Sequence, residues 1–445
     1  MTKPTVLHSF HPLGQLEQFR KDPLLFLEEM GGKDEEKVQF RFANRTVHLL
    51  MCPALVKEVL VTQSDSFHKS KQFRELSLLI GEGLVTSESP LHTKQRKTIQ
   101  PYFTPRHIQQ YTTEMIESAS FMMESWEMNC SRDISKDMME VTLAVITKTM
   151  FNMDVRDGHQ KVGVHLETIM ETATKRIRSF LKPPLSWPTA EVKQYKTSIQ
   201  ELKRVVEEII HQKEYHRDGK EDLLHALLHA RDEEGNSMSR NQLMDEVMTI
   251  FVAGHETTAN LLSWFFYALE CDKKVKEQAY EEVDRVVGTD ELSSEHLSHL
   301  HYTRQALQET LRLYPPVWMF GRIAVKDVMI GPHLIKKGEN VLVSPYLMHR
   351  NEKYFPDPLT FDPERFLEAH AKKTPPYAYF PFGGGPRVCI GNHFALHEAL
   401  IIATLFVQRF TFKMPDSQKV ECHPLISLRP KGGLTMKIEK RDNCM

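Results

Sequence analysis

One cysteine of this sequence sits in a setting that could make it a ligand. Residues Phe380 to Ala395 read FPFGGGPRVCIGNHFA, a glycine-rich loop that holds Cys389 and runs into an apolar helical stretch at 394–407. Glycines on both sides let the backbone approach a flat ligand closely. Main-chain N–H groups near a helix start donate to a thiolate and stabilise its charge. A thiolate so placed can be the axial ligand of haem iron and push electron density that favours O–O cleavage. Three other readings stand beside this one. The G-K-[S/T] ending of a phosphate-binding loop is absent, and Arg387 does not serve that geometry. Cys389, His393 and His397 share a helical face at spacings of four, which suits zinc, yet no fourth ligand is evident and the glycines are left unexplained. A buried, inert cysteine is the plainest alternative.

A second segment, Ala253-Gly-His-Glu-Thr-Thr-Ala259, lies inside a long apolar helix expected from about Leu243 to Leu269. A zincin site needs histidine three places beyond Glu256, where Ala259 stands, so that chemistry fails. On a helix Thr257 lies four residues from Ala253 and three from Gly254, so its hydroxyl faces a gap left by missing side chains, wide enough for dioxygen. Glu256, an acid in an apolar helix, can relay protons; a structural salt bridge is an equally common fate. A third segment, Glu309-Thr-Leu-Arg312, puts opposite charges on one helix face ahead of Pro315 and Pro316, by itself an ordinary surface pair.

These side chains need elements to hold them. Val38, Phe40 and Phe42 alternate with Gln39 and Arg41, and a turn at Asn44 leads to Val47–Met51, which predicts an edge hairpin. From Thr104, a candidate N-cap with Pro105 at the first helical position, to about residue 310 the spacing is helical. Ile199, Leu202, Val205, Val206, Ile209 and Ile210 make one stripe. Strand patterns return at 341–344, 410–414 and 434–438, so the two ends of the chain are expected to meet. Prolines mark loops at 182–188 and 351–388.

Composition narrows the class. The 445 residues carry 57 Lys plus Arg against 59 Asp plus Glu, a net charge of −2, which excludes a globally basic nucleic-acid binder. No stretch reaches the roughly 18 apolar residues of a membrane span, and the polar N-terminus holds no signal core. Six scattered cysteines form no CxxC pair and suit a reducing compartment. The expectation is a soluble, cytoplasmic protein. With no repeat or linker, residues 1–445 are expected to form one domain.

Taken in order, the segments resemble the cytochrome P450 family of haem-thiolate monooxygenases. The family's FGxGxRxCxG pattern, with an alanine four residues on, is met by Phe382, Gly383, Gly385, Arg387, Cys389, Gly391 and Ala395. Its [A/G]GxxT[T/S] pattern is met by Ala253, Gly254, Thr257 and Thr258, with Glu256 as the acid. Glu309 and Arg312 form its ExxR pair, and Pro363-Glu-Arg-Phe366 its PERF segment. The resemblance implies a mainly α fold with small β-sheets (α+β), β-rich at both ends, with a long central helix over the haem. It implies Cys389 as iron ligand, and a structural triad of Glu309, Arg312 and Arg365. His92, Arg96, Arg322 and Arg387 are implied partners of the haem propionates, with Phe382 and Gly391 also at the cofactor. Many members carry tryptophan where His92 stands.

The implied activity inserts one oxygen atom of O2 into a C–H bond or double bond, with electrons from NAD(P)H passed on by a ferredoxin or flavodoxin-like partner. Thr257 and Glu256 would organise the water that protonates the distal oxygen. The segments at 309–316 and 349–358 are similar to the branch with fatty-acid and carotenoid hydroxylases, which implies a long apolar substrate of fatty-acid, terpenoid or steroid-like type. Its lining would include Phe73, Leu76 and Leu79, then Phe251, Val252 and Ala253. Val317, Trp318, Met319, Phe320 and Ile426 complete it; core packing is the competing reading for each. A stand-alone bacterial monomer without a membrane anchor is expected. A peroxide-driven peroxygenase and a non-catalytic haem sensor or carrier are the alternatives. Lys94 and Lys97, opposite His92 on a helix, would help dock an acidic electron donor.

Overall fold

A computed structural model of the chain describes residues 5–441 apart from 8, 10, 34, 71, 153–158, 179–184, 188, 216–221, 232–234, 416 and 417. Part of the proline-rich stretch at 182–188, and Cys444, fall outside the described residues. Helices dominate and the sheets are small, the α+β class expected from the sequence. The chain forms two compact units, Met1–Arg74 with Gln308–Cys389, and Glu75–Leu307 with Ile390–Met445.

The first unit is built on a six-stranded sheet. Strands Lys37–Phe42 and Arg45–Leu50 form the expected antiparallel hairpin, Phe40 facing Val47. Val38 and Phe40 are buried while Arg41 is exposed, as alternation requires. The hairpin is not at the edge, however. Thr5–Val6 pairs outside it and Asn340–Val343 inside it, followed by Phe320–Ala324 and Phe67–Lys69. A two-residue strand carries no readable period, so sequence patterning could not reveal the flanking partner. Below the sheet, Leu55, Val59, Ile330, Ile335, Val341 and Phe380 share one apolar cluster.

The second unit is helical. Its longest helix, Arg240–Cys271, is capped by Ser239, whose hydroxyl accepts from Gln242 N–H at 3.2 Å. Thr104 does precede a helix, Pro105–Gln110, but its hydroxyl turns back to Pro101 O instead of capping. On Ala190–Tyr215, Leu202, Val206, Ile209 and Ile210 are buried, with Ile199 and Val205 on the flanks of the stripe. The C-terminal strands Phe410–Lys413 and Thr435–Lys440 pair with each other, and the latter with Ser131–Asp133, a strand inside the region read as helical. Of the strands expected toward the C-terminal end, Asn340–Val343 does join the N-terminal hairpin, whereas among the described residues Phe410–Lys413 and Thr435–Lys440 pair with each other and with Ser131–Asp133. Between the C-terminal strands, Cys422–Pro424 and Leu428–Pro430 form a short hairpin. Among the described residues no helix is long and apolar enough to cross a membrane.

Candidate active site

In the first unit the thiol loop is fixed by its backbone. Cys389 N–H donates to Phe382 O at 2.9 Å, and Val388 N–H to Gly385 O at 3.0 Å, closing a tight turn that leaves Cys389 exposed. The glycines have distinct causes. Gly383 and Gly385 have φ of +72° and +64°, conformations that L side chains rarely adopt. A Cβ on Gly385 would collide with Leu60 O, and one on Gly384 with the Tyr377 ring, whereas around Gly383 there is open space. Two of the three glycines thus serve close packing within the protein, and Gly383 alone leaves room for a flat ligand.

The Glu309/Arg312 pair, ordinary as a surface feature, is completely buried. Arg312 makes a bidentate contact with Glu309 at 2.7 and 2.8 Å and donates to the carbonyls of His349, Pro358 and Thr360. Asp362 N–H donates to Glu309 at 2.9 Å, and Arg365 Nε stands 3.5 Å from the same carboxylate, completing the expected triad. Arg322 lies on strand Phe320–Ala324 over the Phe320 ring and donates to Gly321 O; Arg387 is half-buried in the thiol loop.

In the second unit the long helix presents an exposed Ala253 and a half-buried Thr257 on one face, whereas Phe251 and Val252 are buried. Thr257 Oγ1 donates to Ala253 O at 3.0 Å. Gly254 does not widen a gap beside Thr257: a Cβ there would lie 2.8 Å from Ile146 on helix Ile134–Phe151, so this glycine lets two helices approach. Glu256 is turned into the protein, where Ser427 Oγ donates to its carboxyl and Asn260 Nδ2 donates to Ser427 Oγ at 3.0 Å. Burial pushes the Glu256 carboxyl above the usual carboxylate range, opposed by the Ser427 bond and the Arg429 charge. On helix Leu91–Ile99, His92 and Gln95 are buried and Arg96 half-buried, with Lys94 and Lys97 exposed on the other side.

The candidate lining residues divide. Phe251 packs on Phe151 with ring centroids 6.4 Å apart, and Trp318 stacks on Phe19 while its carbonyl accepts from Ser344, so both are core residues. Phe73, Leu76, Met319, Phe320 and Ile426 are half-buried and Val317 is exposed, leaving them accessible; the side chain of Leu79 lies outside the described residues. Ile426 sits at the tip of the Cys422–Pro430 hairpin, beside Ser427.

Three residues escaped the sequence. His349 links Arg312 to the thiol loop; Ser427 engages Glu256. Glu398, on helix Asn392–Arg409, is fully buried beside Thr258, and burial, opposed only by the Thr258 hydroxyl, holds its pKa well above the usual value. A glutamate inside the apolar run 394–407 was the one signal available. His397, the would-be zinc ligand, bonds Thr112 Oγ1 at 2.9 Å.

The donor set fits a haem. Within the first unit, the exposed Cys389 thiol is a soft donor with Arg387 two residues before it, and Arg322 lies on the sheet of the same unit. Among the described residues no group of three or more His, Cys, Asp or Glu side chains could hold a bare metal ion.

Comparison with known proteins agrees. The family described as Cytochrome P450 matches residues 2–437. Cyclooctat-9-en-7-ol 5-monooxygenase of Streptomyces melanosporofaciens is 33% identical over 398 residues, 88% of this chain and 86% of that protein. Cyclooctatin synthase of the same organism is 30% identical over 424 residues, 95% of this chain and 92% of its own. Putative cytochrome P450 132 of Mycobacterium tuberculosis is 30% identical over 431 residues, 92% and 91% of the two chains. With its cysteine loop, its buried Glu309/Arg312 pair and a match over nearly its whole length, the chain belongs to the cytochrome P450 family, an oxidoreductase of the monooxygenase class.

Proposed function

We propose that this enzyme, acting as one catalytic domain, oxygenates a long apolar substrate of terpenoid, fatty-acid or steroid-like type, taking electrons from NAD(P)H through a small acidic carrier. Haem b, when bound, supplies the activation of O2 and the oxidising power. Cys389 would hold the iron from its exposed position in the thiol loop, the observation that carries this reading. His92, Arg96, Arg322 and Arg387 would hold the propionates.

Thr257 has already given its hydroxyl hydrogen to Ala253 O. Its oxygen is therefore an acceptor, suited to receive a hydrogen bond from water and to orient it on the exposed helix face. Glu256 lies one position away but is engaged by Ser427, so its part in proton movement runs through Ser427 and solvent beyond it. Val317 and Met319 in the first unit, and Leu76 and Ile426 in the second, are accessible apolar side chains of the kind that suits an apolar substrate. A relative named for cyclooctat-9-en-7-ol favours a terpenoid within that class. Exposed Lys94 and Lys97 suit an acidic ferredoxin or flavodoxin-like donor, whose reduction of the enzyme should slow with rising salt and in a Lys94→Glu, Lys97→Glu variant.

The testing experiment is a screen of terpenoids, fatty acids, steroids and small polar compounds for the spin-state change in the ferric absorption spectrum, followed by product analysis with a surrogate redox partner. A thiolate-type reduced carbon-monoxide spectrum lost in Cys389→His supports the ligand assignment. Ligands drawn only from small polar compounds would sink the substrate class.

A further inference from the structure

The segment between helices Gln72–Ile80 and Leu91–Ile99 is held to the long helix by two adjacent carboxylates. Asp245 accepts from Glu82 N–H at 2.9 Å, and Glu246 accepts from Leu84 N–H at 3.0 Å. Gln242, one turn before Glu246, donates both to its other carboxyl oxygen at 3.0 Å and to Glu82 O at 3.2 Å. Gln95 on helix Leu91–Ile99 donates to Glu82 O at 2.8 Å and receives a bond from Ser87. Thr86 Oγ1 closes the segment on itself through Gly81 O at 2.6 Å.

Glycines make this approach possible. A Cβ on Gly81, whose φ is +69°, would overlap the Asp245 carboxylate, and one on Gly83 would overlap Thr249 Oγ1 and press on Asp245 O. Glu246 is wholly buried. A buried charge is an expensive way to fix a loop compared with an apolar contact, and it is tolerable only while its hydrogen-bond donors stay in place. Both donors are pinned from elsewhere, Gln242 by Glu82 O and Leu84 by the chain.

We propose that Asp245 and Glu246 are positioning residues, a clasp that sets where segment 81–87 lies and thereby places helix Gln72–Ile80 against the substrate. The functional half rests on the reading of Leu76 as a substrate contact. The clasp itself does not. Acceptance by both carboxyl oxygens means that a neutral side chain cannot replace Glu246: the Glu246→Gln amide would turn a donor toward either Leu84 N–H or the Gln242 amide. Burial, helped by the neighbouring Asp245 charge and opposed by the bonds from Leu84 and Gln242, pushes Glu246 up to about 7.

The experiment compares haem-loaded wild type, Glu246→Gln and Asp245→Asn by amide hydrogen exchange and by titration with a spin-state-shifting apolar ligand found for wild type. In the variants the amides of 81–87 should exchange about tenfold faster, as expected for losing one charge-assisted bond, while those of 255–268 do not change. The ligand dissociation constant and KM should rise together, with kcat at saturation and the carbon-monoxide spectrum unchanged. Unaltered exchange at 81–87 overturns the clasp. Faster exchange with unaltered ligand affinity overturns its role in placing the substrate helix. Faster exchange where no apolar ligand binds even wild type upholds the clasp and instead defeats the proposed substrate class. Where Glu246→Gln yields no folded protein, Asp245→Asn carries the same test, because its amide oxygen accepts from Glu82 N–H without the charge that strengthens the bond.

Discussion

His349 Nε2 accepts the main-chain N–H of Phe380, the first residue of the thiol loop, at 3.0 Å. The other ring nitrogen therefore carries the proton and faces Arg312 O at 3.3 Å, while Arg312 returns a bond to His349 O at 2.8 Å. The buried Glu309/Arg312 pair is thus coupled to the position of Cys389 through one neutral imidazole, and Tyr379 Oη adds a second tie to Gln308 O at 3.0 Å. Burial and the adjacent Arg312 charge lower the His349 pKa to about 3, so the imidazole stays a hydrogen-bond acceptor over the whole working range.

It follows that His349→Ala removes a fully buried ring and leaves Phe380 N–H without its acceptor. A loss of about 2–5 kcal/mol in stability is expected from cavity and unpaired donor together. Thermal unfolding checks the first part. The fraction of reduced protein giving a thiolate-type carbon-monoxide spectrum checks the second, and should fall in His349→Ala more than in an equally destabilised variant of the second unit, such as Ile146→Ala.

The glycine pair of the thiol loop gives a sharper contrast. Gly383 and Gly385 share the left-handed conformation, but only Gly385 lies against backbone, at Leu60 O. Gly383→Ala should cost about 1–2 kcal/mol, the conformational penalty alone. Gly385→Ala adds a clash that no rotamer relieves, and should cost more than about 3 kcal/mol or prevent folding. Denaturant unfolding of the two variants separates them, and equal costs would mean that the loop can move off Leu60.

His397 provides a pH test with a defined sign. It is half-buried beside Thr112, and desolvation there with the Arg304 charge lowers its pKa from 6.5 to about 4. Between those values the unfolded chain binds the proton and the folded one does not, so this group's contribution is fully present above 6.5 and is lost as pH falls toward 4. The slope approaches about 1.4 kcal/mol per pH unit. Glu398 and Glu246, raised by burial, act oppositely, losing stability as pH rises through the ordinary carboxylate range. Wild type alone therefore shows a sum. The difference between wild type and His397→Gln, from urea midpoints at about pH 5 and about pH 7, isolates the histidine and should grow in favour of the variant on the acid side.

Sequence spacing made the motifs legible because each is local: the hairpin alternation of Val38 and Phe40, the stripe ending at Ile210, and the Cys389 loop all depend on neighbours within a few residues. What the sequence hid depends on distant ones. Gly254 reads as a gap beside Thr257 until Ile146 is seen to occupy its side of the helix. Glu309 and Arg312 read as a surface pair until three carbonyls and Arg365 close over them. Ser131–Asp133 is too short for a period and exists as a strand only because Thr435–Lys437 lies beside it. Glu256 reads as a proton relay or half of a salt bridge, and its actual partner Ser427 is 171 positions away.

That partnership supports the last prediction. Ser427 donates to Glu256 while accepting from Asn260, so removing one oxygen strips Glu256 of a donor and Asn260 of an acceptor, all within a buried cluster. Ser427→Ala should cost about 1–3 kcal/mol of stability. Loss of a donor to the ionised form moves the Glu256 pKa further above the usual carboxylate value, where burial has already taken it. The acid then stays protonated to higher pH, and the hairpin tip bearing Ile426 loses one tie to the long helix, keeping that from Trp264 Nε1 to Leu428 O at 3.1 Å. If Glu256 moves protons through Ser427, the pH profile of product formed per NAD(P)H consumed should shift upward in Ser427→Ala and flatten in Glu256→Gln. Ser427→Thr, which keeps a hydroxyl, should restore the wild-type profile. Changed substrate affinity with an unshifted profile would make the Ser427 tie a device for placing Ile426 alone, and would leave Thr257 as the group on that helix that orients water.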